Sequence, residues 1–347
     1  MELRHLQAFL TVSEAGSFSK AAATLRVAQP ILSRQIKALE KELQTQLFLR
    51  TGRGVVLTDA GRLLASHAEI AVRAVARAGD ELTALRNTPT GSVIIGVPPT
   101  VGAILTRPLV HRLRKEYPKI SLTVVEGFSG FVLEWLSVGR LDAAVIYNAP
   151  KTSTLLTEQL CDEELYLLGP PSDPSRLGRG TVVRGPVLAR LPLVLPSQRH
   201  GLRMLVDAVL SQHQLHPRVE VEIDSLQAIV ALVEDGLGYT ILPYAPVQPL
   251  IAAERLWLWS IDSPKMSRQL ALATSMSRTM APATRVLTRI VREIIQDLVA
   301  SRLWTPEPAE NRGVVNQVSP SSQRPHSQRA AAKIKKSRRR KSADEAR

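Results

Sequence analysis

The chain has 347 residues, a formal net charge of +14 and one cysteine, Cys161. A chain of this length accommodates a small domain and a larger one with a substantial core. A single cysteine excludes an intrachain disulfide framework and fits a reducing compartment. The sequence has no run of about 18 apolar residues and no signal-peptide pattern at its N-terminus, so it predicts a cytoplasmic protein without a membrane partner.

The positive charge is concentrated at the two ends of the chain. Residues 1–58 carry eight Lys and Arg against four Asp and Glu, and residues 305–347 carry eleven against four. This distribution indicates a polyanionic partner for the ends and not for the middle. A solvated, disordered extension explains the C-terminal charge equally well, because that end is rich in Pro, Ser, Gln and Arg.

The first elements are typical of a helix-turn-helix. A first helix is expected from about Glu2 to Glu14. Gly16 ends this helix, and Ser17 is placed to cap a short second helix. The turn that follows is Arg26-Val27-Ala28, and a third helix begins directly after it.

The third helix is expected to begin at Gln29-Pro30, and it has two faces of opposite chemistry. Apolar residues recur on one face at spacings of four, three and four, which is typical of a buried stripe: Leu32, Ile36, Leu39 and Leu43. The other face is small, polar and basic, as a helix must be to enter the major groove of DNA. A gene regulator is therefore the first functional hypothesis.

The polar and basic side chains of this region are assigned two roles toward DNA. Those expected to reach base edges are Gln29, Pro30, Ser33 and Arg34. Those expected to hold phosphates, and so to fix the register without reading the sequence, are Lys20, Lys37, Arg50 and Arg53. The alternative for all of them is an ordinary solvated surface.

A wing and a long helix complete the N-terminal part. Residues 50–57 indicate a tight turn between two short strands, which makes residues 1–58 an all-α winged helix-turn-helix domain apart from that hairpin. Thr58 then caps a helix whose apolar positions alternate at spacings of four and three: Leu64, Ala68, Ala71, Val75, Ala78, Leu82 and Leu85. These heptads predict a coiled-coil dimerisation and linker helix over residues 59–88, with packing on its own domain as the alternative.

Residues 89–304 alternate strands and helices in an α/β pattern that repeats. The economical interpretation is two α/β lobes with a cleft between them. One lobe is expected to contain residues 89–162 and 266–304, and the other residues 163–265. Residues 305–347 are expected to form a disordered basic tail.

Loops that follow strands are the expected ligand sites of such lobes, because helix N-termini there hold anionic groups. The predicted effector contacts are Thr100, Ser129, Ser197, His200 and Ser225. Positive charge at Arg199 and His200 would suit an anionic effector, with an ordinary surface location as the alternative for both. Plain helix capping is the alternative for Thr100, Ser129 and Ser225.

Enzyme motifs are missing from the sequence. The run Gly127-Phe128-Ser129-Gly130 lacks the spacing of a nucleophile elbow. His213 and His216 stand three apart without a cysteine or carboxylate pattern, which disfavours a zinc site. Cys161 belongs to no motif that supplies a base and is expected to be a small buried residue. We therefore expect no catalysis, no metal and no cofactor.

Five runs resemble, in order and spacing, the N-terminal domain of LysR-type transcriptional regulators. They are residues 6–9 (LQAF), 16–22 (GSFSKAA), 29–36 (QPILSRQI), 47–50 (LFLR) and 57–61 (LTDAG). The remainder, to about residue 300, resembles the effector-binding domain of that family, and residues 126–130, 141–148 and 193–203 are most similar to its nitrogen assimilation control type. Ala28 departs from the family pattern, because a serine that caps the recognition helix is common at that position.

The resemblance implies a periplasmic-binding-protein-like fold, type 2, for the two-lobed domain. It also implies a homodimer or homotetramer that binds promoter DNA and changes conformation when a small-molecule effector enters the cleft, with RNA polymerase as a further candidate partner. A second class stays open, a nonspecific nucleic-acid-binding protein that acts through the basic tail, since clusters of Lys and Arg bind polyanions whatever their sequence.

Overall fold

The computed structural model describes residues 1–52, 54–84, 89–179, 182–276, 280–306 and 314–315. The N-terminal elements are α1 (Leu3–Ala15), α2 (Phe18–Leu25), α3 (Gln29–Glu42), β1 (Phe48–Thr51), β2 (Gly54–Leu57) and α4 (Asp59–Ala84). Gly16 takes a left-handed conformation with φ 59° and ends α1, and the Ser17 hydroxyl accepts a hydrogen bond from Lys20 N at the start of α2. Both predicted caps are confirmed.

Helix α3 buries most of its predicted apolar stripe. Leu32, Ile36 and Leu39 are each at most 2% exposed. Leu43 is 37% exposed, because α3 ends at Glu42 and Leu43 lies at its C-cap. The prediction that Leu43 belongs to the buried stripe is therefore wrong.

The β1–β2 hairpin is held in place by backbone N–H groups that donate hydrogen bonds to acceptors on α3 and at the end of α1. One carboxylate oxygen of Glu40 accepts hydrogen bonds from the backbone N–H groups of Leu47, at 2.8 Å, and Phe48, at 3.3 Å. Val55 N donates to the carbonyl of Gly16 at 3.0 Å. These contacts fix the hairpin beside α3, as a winged helix-turn-helix requires.

Helix α4 is shared between two environments. The Thr58 hydroxyl caps it by accepting a hydrogen bond from Gly61 N at 2.9 Å, as predicted. In its first half, the heptad residues pack on the core of the winged domain: Leu64, Ala68 and Ala71. Further along, Val75 is 54% exposed and Ala78 is also exposed, while the side chains of Leu82 and Leu85 lie outside the described residues. The first half of the heptad pattern thus packs on its own domain, and the coiled-coil role of the segment stays a prediction.

The first α/β lobe is built on a mixed sheet. Its elements are β3 (Gly91–Val97), α5 (Pro99–Glu116), β4 (Ile120–Glu126), α6 (Ser129–Ser137), β5 (Ala143–Tyr147), β12 (Ser267–Ser275) and α11 (Pro282–Ala300). Strand β3 is parallel to both β4 and β5, and β12 is antiparallel to β5. Trp304 is 1% exposed in the core of this lobe, so the packed part of the chain extends to that residue.

The second lobe comes from the middle of the chain and has a core of its own around Tyr239 and Trp259. Its elements are β6 (Leu155–Gly169), β7 (Val182–Val183), α7 (Gly185–Leu188), β8 (Leu193–Leu195), α8 (Gly201–Gln212), β9 (Val219–Glu222), α9 (Leu226–Glu234), β10 (Thr240–Pro243), α10 (Gln248–Ala252) and β11 (Trp257–Ile261).

Strand β6 crosses from one lobe to the other. It pairs antiparallel with β12 from Leu155 to Glu164, and with β10 and β11 from Leu165 to Gly169. The predicted division after residue 162 therefore falls inside one continuous strand, and the lobes are joined there by a shared sheet.

Of the predicted tail 305–347, the structure describes residues 305–306 and strand β13 (Val314–Val315). Strand β13 pairs in parallel with β7, which departs from the predicted disorder at those two positions. The rest of the predicted tail lies outside the described residues. Among the residues that the structure describes, no helix is both long and apolar enough to span a membrane.

We predict that Gly61→Ala destabilises the winged domain by about 1–3 kcal/mol, the usual cost of forcing extra atoms into a packed site. A β-carbon at Gly61 would meet the carbonyl oxygen of Leu47 and, at 2.9 Å, the Leu57 side chain. Thermal unfolding of the full chain measures the loss. Gly79→Ala is the control in the same helix, because a β-carbon there meets nothing within 4 Å. Alanine should be neutral or stabilising at that position, and equal melting temperatures for the two variants would contradict the prediction.

Candidate nucleic-acid interface and inter-lobe cavity

The predicted DNA contacts lie on the solvent-facing side of α3 and on two neighbouring elements, with Lys20 on α2 and Arg50 on β1. Ser33 is half-buried, and the other described members of the set are exposed: Lys20, Gln29, Pro30, Arg34, Lys37 and Arg50. Arg53 lies outside the described residues. Because Leu32, Ile36 and Leu39 anchor the opposite side of α3 in the core, the polar side is held outward on a rigid helix.

Two local features shape this surface. Ala28, the N-cap of α3, makes no side-chain capping hydrogen bond, as expected from the residue that stands there. The Arg34 side chain lies along the helix, with its Nε 3.4 Å from the carbonyl oxygen of Pro30. The guanidinium group is thereby kept at the N-terminal half of α3, the part of a recognition helix that contacts base edges.

A cavity of about 330 Å³ lies between the two lobes. The first lobe contributes the loops before α5 and α6 and the ends of β5 and β12, and the second contributes the N-terminal parts of α8 and α9. Most of its wall is apolar: Pro98, Pro99, Phe128, Pro196, Leu202, Met204, Leu205, Leu226, Ile229 and Leu242. A pocket of this size, with an apolar wall and a few polar groups, is suited to a small organic molecule.

Arg268 contributes a charged group to the polar floor of the cavity and is held by a buried ion pair with Glu163. Arg268 and Glu163 have side chains only 4% and 3% exposed, and Nε and Nη2 of Arg268 each lie 2.7 Å from one oxygen of Glu163. Arg268 Nη2 also donates to the Thr100 hydroxyl at 3.3 Å. The guanidinium carbon stands 3.4 Å from the centre of the Tyr147 ring, a cation–π contact.

Hydroxyl groups extend this floor toward the first lobe. The hydroxyls of Thr100 and Tyr147 are 3.2 Å apart, and Ser129 Oγ accepts a hydrogen bond from Tyr147 N at 3.3 Å. Burial raises the pKa of Tyr147, so its hydroxyl stays protonated. Neither Thr100 nor Ser129 caps its own helix, because Pro98 and Phe128 occupy the N-cap positions of α5 and α6.

His200 faces the floor from the second lobe. Its Nδ1 accepts a hydrogen bond from Leu202 N at 3.0 Å, which leaves the proton on Nε2. Burial and, to a smaller extent, the charge of Arg268 lower the pKa of His200 to about 4, while Asp224 opposes the shift. The ring therefore stays neutral at physiological pH, contrary to the positive charge expected there. Its centroid is 4.4 Å from that of Phe128, so the lobes touch across the cavity.

The structure brings three of the five predicted effector residues to the cavity wall and places two elsewhere. Thr100, Ser129 and His200 line the cavity. Ser197 instead bonds with its N–H and hydroxyl to the Asp224 carboxylate, both at 2.9 Å. The Ser225 hydroxyl accepts from Ala228 N and so acts as the plain helix cap that was its alternative.

The central pair of the floor was not predicted from the sequence. Arg268 and Glu163 are 105 positions apart, and they meet because they are directly opposite in the register of β12 and β6. No local motif marks either residue. The pairing of two distant strands is the only signal, and the sequence pattern did not reveal that β6 continues through both lobes.

The arrangement can bind and orient a ligand. Burial raises the pKa of Cys161 to about 12, with Glu163 and Asp162 adding to the shift, so the thiol is protonated at neutral pH. Within the described ranges, no cluster of three or more His, Cys, Asp or Glu side chains is placed to hold a metal ion.

Comparisons with known proteins agree with this architecture. Residues 3–62 match the bacterial regulatory helix-turn-helix proteins of the LysR family, and residues 86–296 match the LysR substrate binding domain. The nitrogen assimilation regulatory protein nac of Klebsiella aerogenes is 32% identical over 301 residues, which cover 86% of this chain and 96% of that protein.

Solved structures show the same fold. Full-length CbnR in complex with its target DNA has a TM-score of 0.65 at 22% identity, covering 85% of this chain and all of that one. Full-length OxyR from Pseudomonas aeruginosa has a TM-score of 0.63 at 25% identity, covering 88% and 98%. With a helix-turn-helix that exposes a basic face and a ligand-sized cavity between two α/β lobes, the chain belongs to the LysR family of transcriptional regulators.

Proposed function

We propose that the exposed face of α3 reads promoter DNA and that a small molecule in the inter-lobe cavity controls this binding. The observation that carries the proposal is that the cavity wall comes from both lobes, with Thr100 and Arg268 on one side and His200 on the other. A ligand that contacts both lobes binds the open and the closed arrangement of the lobes with different affinities. A conformational switch requires this difference in affinity.

The division of roles on the DNA face follows from chemistry. Arg34 is suited to a bidentate contact with guanine and Gln29 to one with adenine, while Pro30 and Ser33 are short enough to let α3 approach the bases. Lys20, Lys37, Arg50 and Arg53 hold phosphates. The exposure of the described members of this set, on a helix anchored from behind, supports the assignment.

For the effector we propose an acceptor-rich head group, a carboxylate foremost. The floor presents hydrogen-bond donors: the hydroxyls of Thr100 and Ser129, and the guanidinium of Arg268. Helix α6 begins at the cavity with Ser129, and the N–H groups of its first turn favour an anion. The apolar wall of Pro98, Phe128 and the second-lobe residues would receive the rest of the molecule.

The assembly is proposed to be a homodimer or homotetramer in the cytoplasm. Helix α4, in the predicted dimerisation segment 59–88, exposes Leu63 and Val75 as apolar contacts for a second copy. A dimer presents two recognition helices, which suits an inverted repeat in the promoter. RNA polymerase is the further partner that transcriptional control brings into contact with the bound protein. The relative in Klebsiella aerogenes regulates nitrogen assimilation, and nitrogenous metabolites are therefore included among the candidate effectors.

Footprinting of the purified full chain on its own upstream DNA tests the proposal. The footprint is measured alone and with monocarboxylates, dicarboxylates and amino acids as probes. A discrete protected region with inverted-repeat symmetry, which shortens or shifts with one probe class, is the expected result. Uniform protection that salt abolishes evenly would overturn it and would favour nonspecific binding.

We predict that Arg34→Ala and Lys37→Ala separate sequence reading from general affinity. Arg34→Ala should cost about 1–3 kcal/mol on the operator and much less on random DNA, because one base contact is lost. Lys37→Ala should weaken operator and random DNA alike and reduce the salt slope by about 1. Fluorescence anisotropy at several salt concentrations measures both, and equal losses on the two DNAs for both variants would refute the assignment.

We predict that Thr100→Val reduces the affinity of an active probe about tenfold, because a hydrogen-bond donor on the cavity floor is replaced by a methyl group. Ligand-induced shifts in thermal unfolding measure the change. Thr106→Val is the matched control in the same helix, since the Thr106 hydroxyl is buried without a hydrogen-bond partner among the described residues. The prediction fails if both variants retain the wild-type shift.

We predict that His200 makes the fold sensitive to acid. Its pKa of about 4 in the folded chain lies below the usual 6.5, so the unfolded chain binds the proton first. The stabilisation is complete above pH 6.5 and is lost as the pH falls toward 4. His200→Asn should therefore show a smaller fall in melting temperature between pH 7.5 and pH 5 than wild type. The exposed His213, at the other end of α8, provides the control His213→Asn, and identical pH profiles for His200→Asn and wild type would contradict this.

A further inference from the structure

We propose that Ile31 recognises the 5-methyl group of a thymine adjacent to the base pair that Arg34 reads. The inference rests on the proposed DNA-binding role of α3 and adds a specificity contact to it. The observation behind it is an apolar patch on the otherwise polar DNA face. Ile31 is 43% exposed and Val27 is 37% exposed, and the exposed Pro30 lies between them in the chain.

The position of Ile31 places it where base edges are read. It lies in the first turn of α3, and the N-terminal residues of a recognition helix are those that reach into the major groove. Ile31 and Arg34 are three positions apart, which is about 4.5 Å along the helix and about 60° around it. Base pairs are spaced by about 3.4 Å, so the two side chains would meet neighbouring base pairs.

The chemistry of the groove selects the contact. The thymine methyl is the apolar group that the major groove displays, and an apolar side chain is its complement. Isoleucine is branched at Cβ and restricted at χ1, so little side-chain freedom is lost when it is fixed against a base.

The charge around the patch argues for DNA over a second copy of the chain. The helix-turn-helix also exposes the basic side chains of Arg26, at the end of α2, and of Arg34 and Lys37 on α3. Two such basic faces would repel each other, whereas DNA supplies both the negative backbone and the apolar methyl group. Ile31 also directly follows the proposed base-reading residue Pro30 in the first turn of α3.

Uracil substitution tests the inference, because dU differs from dT only by the missing methyl group. The operator is first located by footprinting, and each dT is then replaced singly by dU in synthetic duplexes. Binding of the full chain is measured by fluorescence anisotropy at one fixed salt concentration. For wild type we expect about fourfold weaker binding at one position per half-site, which corresponds to about 0.8 kcal/mol, the value of one buried methylene-sized group. Substitution elsewhere should have no effect.

The variant Ile31→Ser completes a double-mutant cycle in which the side chain and the thymine methyl are removed singly and together. It should bind the dT and dU duplexes equally, with the affinity that wild type has for dU. Leu43→Ser is the control, since Leu43 is comparably exposed at the other end of α3 and should keep the fourfold preference for dT. Thermal unfolding of each variant confirms that it is folded.

The outcomes are distinguishable. If no discrete footprint exists, the proposed function itself fails. If wild type has a footprint but no position at which dU weakens binding, the DNA-binding role stands and the thymine contact is wrong. A dT preference that persists in Ile31→Ser assigns the methyl to another residue. A change of oligomeric state in Ile31→Ser, measured by light scattering, assigns the patch to a protein contact, and either of these results overturns the proposal.

Discussion

The antiparallel pairing of β6 with β12 is the contact on which the two-lobed domain depends. The two strands are separated by about a hundred residues in sequence, yet they are hydrogen-bonded neighbours from Leu155 to Glu164. Strand β6 then continues into the sheet of the second lobe, where it pairs with β10 and β11. A single strand therefore belongs to both lobes and fixes their relative position at this point. The same pairing sets Arg268 opposite Glu163 and so creates the floor of the cavity.

The buried ion pair between Arg268 and Glu163 fixes how β12 and β6 meet. Two charges that are both nearly excluded from solvent hold together only with good geometry, and removal of one partner from such a pair typically costs about 3–5 kcal/mol. Arg268 also contacts Thr100 on α5 and the ring of Tyr147 on β5. The pair therefore ties the crossing strands to the first lobe at the place where a ligand would bind.

A second set of ionic contacts joins the first lobe to the long helix that carries the winged domain. Arg73 of α4 lies 3.2 Å from the buried carboxylate of Asp142, which also accepts a hydrogen bond from Ile94 N at 2.7 Å. One turn earlier, Glu69 pairs with Arg140 at 3.3 Å. Both partners in the lobe precede β5, the strand that ends at Tyr147 in the cavity. A short and rigid element thus lies between the cavity floor and α4.

Local elements could be predicted from the sequence, and long-range contacts could not. The helix caps Ser17 and Thr58 were predicted correctly, because a short polar residue directly before a helical pattern is a local signal. The apolar spacing of α3 was correct up to the point where the helix ends, and no pattern shows that Leu43 lies beyond it. Strand β6 was missed, because its exposed first part and buried second part do not share one pattern.

The candidate site divides in the same way. Thr100 and Ser129 were found because the loop before a helix is a local feature, but hydroxyls in such loops serve either the helix or the cavity. Ser225 serves its helix, whereas Thr100 and Ser129 bond to other strands. That choice is made by tertiary packing, since Pro98 and Phe128 take the N-cap positions and leave the hydroxyls free for Tyr147.

Glu163 limits how tightly the cavity can hold an anion. Arg268 already directs Nε and Nη2 at Glu163, so a carboxylate ligand does not meet an unpaired guanidinium. A ligand that displaced Glu163 would leave a buried carboxylate without its partner, which is strongly unfavourable. His200 adds no positive charge, because it is neutral. Binding would then rest on the hydroxyls, the remaining donor capacity of Arg268, helix N-termini and apolar contact.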